Sequence, residues 1–299
     1  MTTRIALATA GQFPDLDEDG PVLLAALAER SAAGEPAVWD DPSVDWSTYD
    51  LVVLRSTWDY APRRDDFVAW AYRVAGVTRL ANPAPVVEWN TDKTYLRALA
   101  DAGLPVVPTD WLVPGDVFAA PAQGEYVVKP SVSAGSKDTN RYRAGEHDEA
   151  AVAHAHGLLA AGRTVMVQPY LHEVDVAGET ALLFTGGQFS HAIRKGPLLM
   201  VGMPAVTGPY KEEQITVRDP SPREHEVAEA VLDALATVAP VDRDTLPYAR
   251  VDLVPGHDGE PTLLELELTE PSMFLVHDGV DGAAAAGRFA DAILAACRR

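Results

Sequence analysis

Two short stretches in the last fifth of the chain set acids and a base where they could act together. Tyr248-Ala249-Arg250-Val251-Asp252-Leu253-Val254 alternates as a β-strand does, which puts Arg250 and Asp252 on one face. Leu263-Leu264-Glu265-Leu266-Glu267-Leu268 does the same for Glu265 and Glu267, with the alternating leucines turned inward. Three carboxylates beside one guanidinium repel one another unless a cation or protons neutralise them. Magnesium suits such a set, because it is a hard ion that takes carboxylates together with substrate phosphates. Asp252, Glu265 and Glu267 are therefore candidate metal ligands, with Arg250 beside them.

Four further stretches supply what a phosphate ligand would need. Tyr126-Val127-Val128-Lys129 ends a buried strand on an ammonium, and the loop Ser131 to Lys137 that follows is rich in Ser, Ala and Gly. Such a loop can bring backbone N–H groups, with Ser133 and Ser136, close to a triphosphate. It is not a Walker sequence, which has different spacing. Gln168-Pro169-Tyr170-Leu171 can present backbone groups to an adenine, and Glu173, Asp175 or Glu179 can hold ribose hydroxyls. Lys93, read in the first turn of a helix, is unfavourable there unless an anion offsets the helix dipole. Arg55-Ser56-Thr57-Trp58-Asp59-Tyr60 follows an apolar strand end, which makes Arg55, Ser56 and Asp59 candidates for substrate binding. Each stretch alone also suits an ordinary loop, turn or solvent-facing side chain.

The elements that must position these groups fall into two patterns. Arg4 to Thr9 reads as a strand, Val22 to Ala33 as a helix stopped by Gly34, residues 51–54 as a strand buried on both faces, and Asp65 to Ala75 as a helix. That alternation predicts a short parallel α/β sheet over roughly the first 85 residues. Asn82 to Trp89 reads as a linker, and a helix starts near Thr91. Strands at 126–129 and 165–168 flank a helix near 147–161, and two strands over 179–194 meet at Thr185-Gly186-Gly187-Gln188. A helix at 224–238, the two acidic strands and a final helix follow, which predicts an α+β half.

The order of these stretches resembles the ATP-grasp superfamily, specifically its carboxylate–amine ligases, over about residues 80–299. The resemblance implies an α/β N-terminal domain, residues 1–88, before an ATP-grasp domain, 89–299, whose two subdomains clasp ATP; about 122–172 would be the nucleotide-binding lid. It casts Lys93 and Lys129 as nucleotide lysines, Gln168 to Leu171 as the adenine hinge and Glu179 as the ribose acid, with Glu173 and Asp175 still open. It makes Arg250, with Arg194 or Lys195, the cations that hold the γ-phosphate and an acyl phosphate, and Ser272 a substrate contact. The family commonly carries Glu-x-Asn on its last strand; Glu265-x-Glu267 keeps an oxygen ligand and adds charge, leaving one or two magnesium ions open. Arg55 to Tyr60 and Glu265 to Leu275 are similar to the cyclo-ligases that close O-ureido-D-serine into a ring. The implied chemistry uses ATP and magnesium to activate a small amino-acid-like carboxylate for attack by nitrogen. Another amino-acid or peptide ligase, or an ATP-binding regulator without chemistry, is the alternative; a regulator would not need three metal carboxylates.

Composition narrows the partners. A formal net charge of −20 repels nucleic-acid backbones and means that any ATP site must gather its own cations. No apolar run approaches the roughly 20 residues of a membrane span, and Met1 to Ala10 reads as a strand rather than a signal peptide, so a cytoplasmic protein is expected. The single cysteine, Cys297, precludes an internal disulfide and reads as a small filler. No Gly-x-Gly-x-x-Gly follows the first strand and no His-Glu-x-x-His is present, which argues against a dehydrogenase and a zinc hydrolase. A homo-oligomer is expected at the level of the family only.

Overall fold

The computed structural model describes residues 2–202 and 214–298. Its first third is a four-stranded, all-parallel sheet in the order β2-β1-β3-β4, formed by β1 (Thr3–Thr9), β2 (Ala32–Val38), β3 (Leu51–Leu54) and β4 (Arg79–Ala81). Helices α1 (Gly20–Glu29) and α2 (Arg64–Ala75) make the crossovers, followed by α3 (Ala84–Asn90) and α4 (Tyr95–Asp101). The run Leu51–Leu54 is wholly buried, as a strand covered on both faces must be.

Three expectations are corrected here. The first helix ends at Glu29, and Ala32–Val38 is a strand paired with β1. Gly34 is no helix stop: Leu24 and Leu27 of α1 press so close that a Cβ there would lie 2.9 Å from each. The expected linker at 82–89 is mostly α3, because Pro85 is compatible with a first helical turn and Val86 and Val87 are buried. Lys93 precedes α4 rather than sitting in its first turn.

The second sheet is antiparallel, in the order β5-β8-β6-β7: β5 (Asp110–Leu112), β6 (Glu125–Pro130), β7 (Asn140–Arg143) and β8 (Val165–Pro169), backed by α5 (Asp148–Ala160). The strand β7 lies where a polar loop and helix were expected to meet. The third sheet follows the short helix α6 (Val174–Ala177). It has the order β11-β10-β9-β12-β13, from β9 (Glu179–Thr185), β10 (Gln188–Lys195), β11 (Ile215–Val217), β12 (Tyr248–Pro255) and β13 (Pro261–Glu267). α7 (Pro222–Val238) packs on one face through Val227, Val231 and Leu235. The last helix, α8 (Ala283–Arg298), fills the space between the third sheet and the first: Phe289 and Ile293 share one core with Ile5, Leu7, Leu27, Leu183 and Tyr248. Cys297 packs at the rim of that core.

β13 is the outer strand of its sheet, yet its free edge is satisfied. Tyr95 Oη donates to Leu266 O (2.8 Å) and accepts from Leu266 N (2.9 Å). Asn90 donates to Leu266 O (2.8 Å) and accepts from Leu268 N (2.7 Å), while Asn82 donates to Leu268 O (2.6 Å) and Tyr248 O (3.1 Å). The buried hydroxyl of Tyr248 is shared between the carbonyls of Ala81 (3.0 Å) and Thr269 (2.9 Å). These side chains fasten the acidic strand to the first sheet. Replacing Tyr248 by Phe should leave both carbonyls short of that donor and lower stability by about 1–3 kcal/mol in urea titration, with the circular dichroism of the native state unchanged.

Candidate active site

The pairing of β12 with β13 sets Arg250 directly opposite Glu267 and Asp252 directly opposite Glu265. Between them Val251, Leu253, Leu263 and Leu266 point the other way into the core. The sequence alternation thus delivers one apolar and one charged face. The charged face looks into a cleft of about 740 Å³ that runs between the three sheets.

Within the cleft, acid and base are matched. Arg250 makes a two-pronged contact with Asp252 (2.9 Å for each prong), pairs with Glu267, and donates to Ser272 O (3.1 Å). Lys195 binds Asp252 (2.8 Å) and Glu179. Lys93 binds Glu265 (3.0 Å) and the carbonyl of Ser133 (2.8 Å). Burial alone would raise the Asp252 carboxyl, but Arg250 and then Lys195 overcome it and hold Asp252 well below the usual carboxylate range. Glu267 goes the other way: burial pushes it up, Arg250 opposes, and Glu265 and Asp252 add to the rise. Among the described residues, no three His, Cys, Asp or Glu side chains are gathered to hold a metal ion; each carboxylate is turned to a cation.

Lys129 differs from the other cations. Its side chain is buried at the end of β6 and makes no ion pair among the described residues. Burial pulls its ammonium down to about 8, with Glu265 opposing and Lys93 adding to the fall. Ser133 and Ser136 line the same wall. Gly135 and Ser136 both have positive φ, 61° and 57°, which bends this loop over the cleft. On the adjacent strand β8, and on the same face of the sheet as Lys129, lies Gln168, whose amide donates to Thr109 Oγ1 (2.8 Å), followed by Tyr170 and Leu171.

Of the three acids read as ribose candidates, only Glu179 lines the cleft. Glu173 is exposed outside it. Asp175 is occupied elsewhere, accepting from Tyr170 Oη (2.5 Å) and pairing with Arg141 (3.2 Å). Arg194 is corrected: alternation along β10 sends it away from the cleft, where it donates to the carbonyls of Ala177 (2.6 Å) and Val176 (2.9 Å). Lys195, one residue on, faces inward.

The stretch after β3 is also corrected. Arg55 is 1% exposed and donates to Pro271 O (3.2 Å), behind the cleft wall. Ser56 is wholly buried, and Asp59 accepts from Trp39 Nε1 (2.8 Å) and Arg63 (2.9 Å). The neighbours Trp58 and Tyr60 face the cleft instead, with Trp58 Nε1 bonded to Glu270 O (2.9 Å). Ser272 lines the cleft as expected.

Sequence reasoning missed Asn90, Glu270 and the acidic loop Asp17, Glu18 and Asp19, all of which line the cleft. Burial, and after it the charge of Glu267, pushes the Glu270 carboxyl up to about 8, and Tyr60 bonds to it. The loop had a usable signal: it follows β1, and ligands of parallel sheets gather beyond the strands' carboxyl ends.

Comparisons with known proteins give the family and the fold. Residues 5–82 match the family model described as D-cycloserine synthetase DcsG, N-terminal domain. The chain is 42% identical to the cycloserine biosynthesis protein DcsG of Streptomyces lavendulae, over 97% of each chain. It superposes on the crystal structure of D-cycloserine synthetase DcsG with a TM-score of 0.87, at 39% identity, covering 98% of this chain and 99% of that one. A RimK domain ATP-grasp protein from Sphaerobacter thermophilus shares the fold at a TM-score of 0.67 and 19% identity, covering 98% of this chain and 100% of that one. D-alanine–D-alanine ligase from Bacillus anthracis, solved with ATP, does so at 0.65 and 13%, covering 99% and 98%. With this identity along nearly the whole length of both chains, the protein belongs to the DcsG family of D-cycloserine synthetases and carries the ATP-grasp fold.

Proposed function

We propose that this protein is an ATP-dependent ligase that closes O-ureido-D-serine into D-cycloserine, yielding ADP and phosphate and releasing the ureido carbamoyl group as carbon dioxide and ammonia. The observation that carries the reading is the facing pair of charged strands, Arg250 against Glu267 and Asp252 against Glu265, beside a cleft that also holds Lys129, which makes no ion pair among the described residues. The family relationship supplies the substrate; the charges suit its activation.

The donor chemistry fits magnesium, being all oxygen and anionic. Asp252, Glu265 and Glu267 would hold one or two ions, which supply charge neutralisation to the phosphate oxygens. Lys129 and Lys93 would bind the phosphates, with the Ser133–Ser136 loop closing over them. Gln168, Tyr170 and Leu171 would seat the adenine, and Glu179 the ribose. Arg250 and Lys195 would steady the charge that develops as the substrate carboxylate takes up the phosphoryl group, a transfer that depends on positioning and electrostatics. The second sheet acts as a lid in this reading, and water is excluded because the acyl phosphate so formed hydrolyses. The oxygen-bound nitrogen of the same substrate then displaces phosphate and closes the ring, and water takes the carbamoyl group off that nitrogen as carbon dioxide and ammonia.

Three outcomes test this. ADP release in magnesium and ATP, measured against a panel of amino-acid carboxylates, should occur with O-ureido-D-serine and coincide with the mass of D-cycloserine; release with a different carboxylate alone would discard the cyclo-ligase. Glu265→Gln should lower kcat by about 100-fold or more, and an active variant with unchanged magnesium dependence would sink the ligand assignment. The ammonium of Lys129 is charged below its value of about 8 and neutral above it. kcat/KM for ATP should therefore fall as pH rises through about 8, and Lys129→Arg should flatten that limb of the profile.

A further inference from the structure

One end of the cleft carries a charge that the phosphate chemistry does not use. Asp17 and Asp19 lie on the loop between β1 and α1, and both line the cleft. Behind them is Arg55, 1% exposed, with Nη2 at 3.8 Å from Oδ2 of each. That spacing gives ionic attraction without a hydrogen bond, and among the described residues Nη2 makes none. Two carboxylates against one guanidinium leave the group with a negative charge to spare when both are ionised.

The two acids are not equivalent. Asp19 is anchored, accepting from Val276 N (3.3 Å), and burial together with Asp17 pushes it up to about 6. Asp17 has hydrogen-bonding capacity to spare. Its side chain is only 9% exposed, yet its Oδ1 has no hydrogen-bond partner among the described residues. A buried, unpaired carboxylate oxygen on a cleft wall is costly unless a cationic donor meets it. Arg55 Nη1 also holds Pro271 O (3.2 Å), so this loop shares one frame with Glu270 and Ser272.

The cleft is thus polarised. Lys93, Lys129, Lys195 and Arg250 gather toward the proposed phosphate end, while Asp17 and Asp19 stand at the first sheet. An amino acid has a complementary polarity: its carboxylate belongs with the cations and its ammonium, with three donors, with the acids. We propose that Asp17, backed by Asp19 and Arg55, seats the α-ammonium group of the amino-acid substrate and makes the enzyme select carboxylates that carry a free amine. The inference rests on the amino-acid-ligase reading above.

The test compares O-ureido-D-serine with its des-amino analogue, 3-(ureidooxy)propanoate. Binding of each to the whole protein with ADP and magnesium is measured by calorimetry, for the wild type and for Asp17→Asn, with melting temperature as a check on folding. The wild type should prefer the amine-bearing ligand, and Asp17→Asn should weaken that ligand by about 10- to 100-fold, the range of a charged hydrogen bond, while leaving the des-amino ligand unchanged. An equal loss for both ligands, or no loss for either, overturns the proposal. If the variant does not fold, equal wild-type affinity for the two ligands overturns it. ADP release runs in parallel: amine-selective binding without turnover would overturn the proposed reaction and support the ammonium seat, whereas turnover with equal affinities would do the reverse. Failure of both ligands to bind overturns both.

Discussion

Everything in the cleft depends on how the buried charges of β12 and β13 are kept neutral. Three carboxylates, Glu179, Glu265 and Glu267, line the cleft with Lys93, Lys129, Lys195 and Arg250, and a fourth, Asp252, lies buried behind them against Arg250 and Lys195. Removing one partner from such a set leaves an uncompensated charge away from water, which costs far more than the pair contributes. The balance also suits the proposed ligand. A phosphate chain brings negative charge and a magnesium ion brings positive charge, so cations can pass from carboxylate to phosphate while the carboxylates take the ion. Partner exchange of that kind alters the buried net charge little, even in a chain with a formal charge of −20.

Holding the charges in register needs a rigid strand, and β13 is an edge. The side chains of Asn82, Asn90 and Tyr95 do for that edge what a neighbouring strand would do, each pairing with its backbone at hydrogen-bond distance. They also reach it from the segment that leads out of the first sheet. The acidic strand and the acidic loop are therefore placed relative to each other through one buried polar seam, completed by Tyr248 and by the Arg55 contact to Pro271.

Much of the floor was legible in the sequence, because it rests on local periodicity. Alternation alone places Arg250 with Asp252 and Glu265 with Glu267, and an ammonium at the end of an apolar strand marks Lys129. What failed was whatever depended on distant partners. Asp175 reads as a free acid until Arg141, 34 residues earlier, takes it. Arg55 and Asp59 read as ligand groups until Pro271 and Trp39 claim them. Arg194 and Lys195 were offered as equals, and only the register of β10 on β9 separates them. The strand at 32–38 was hidden because Ala, Gly and Pro carry little strand signal, and its place is set by contact with β1 and α1.

The shared core beneath the first sheet has a consequence for how the chain is made. Ile5, Leu7 and Leu51 leave the ribosome early, but Phe289 and Ile293, which cover them, come more than 200 residues later. Until α8 emerges, that face of the first sheet is covered by α1 alone, through Leu23, Ala26 and Leu27, while α2 protects the other through Phe67, Trp70 and Val74. The nascent first sheet is thus a half-finished surface that only the closing helix seals, and the two ends of the polypeptide mature together rather than in the order of their synthesis.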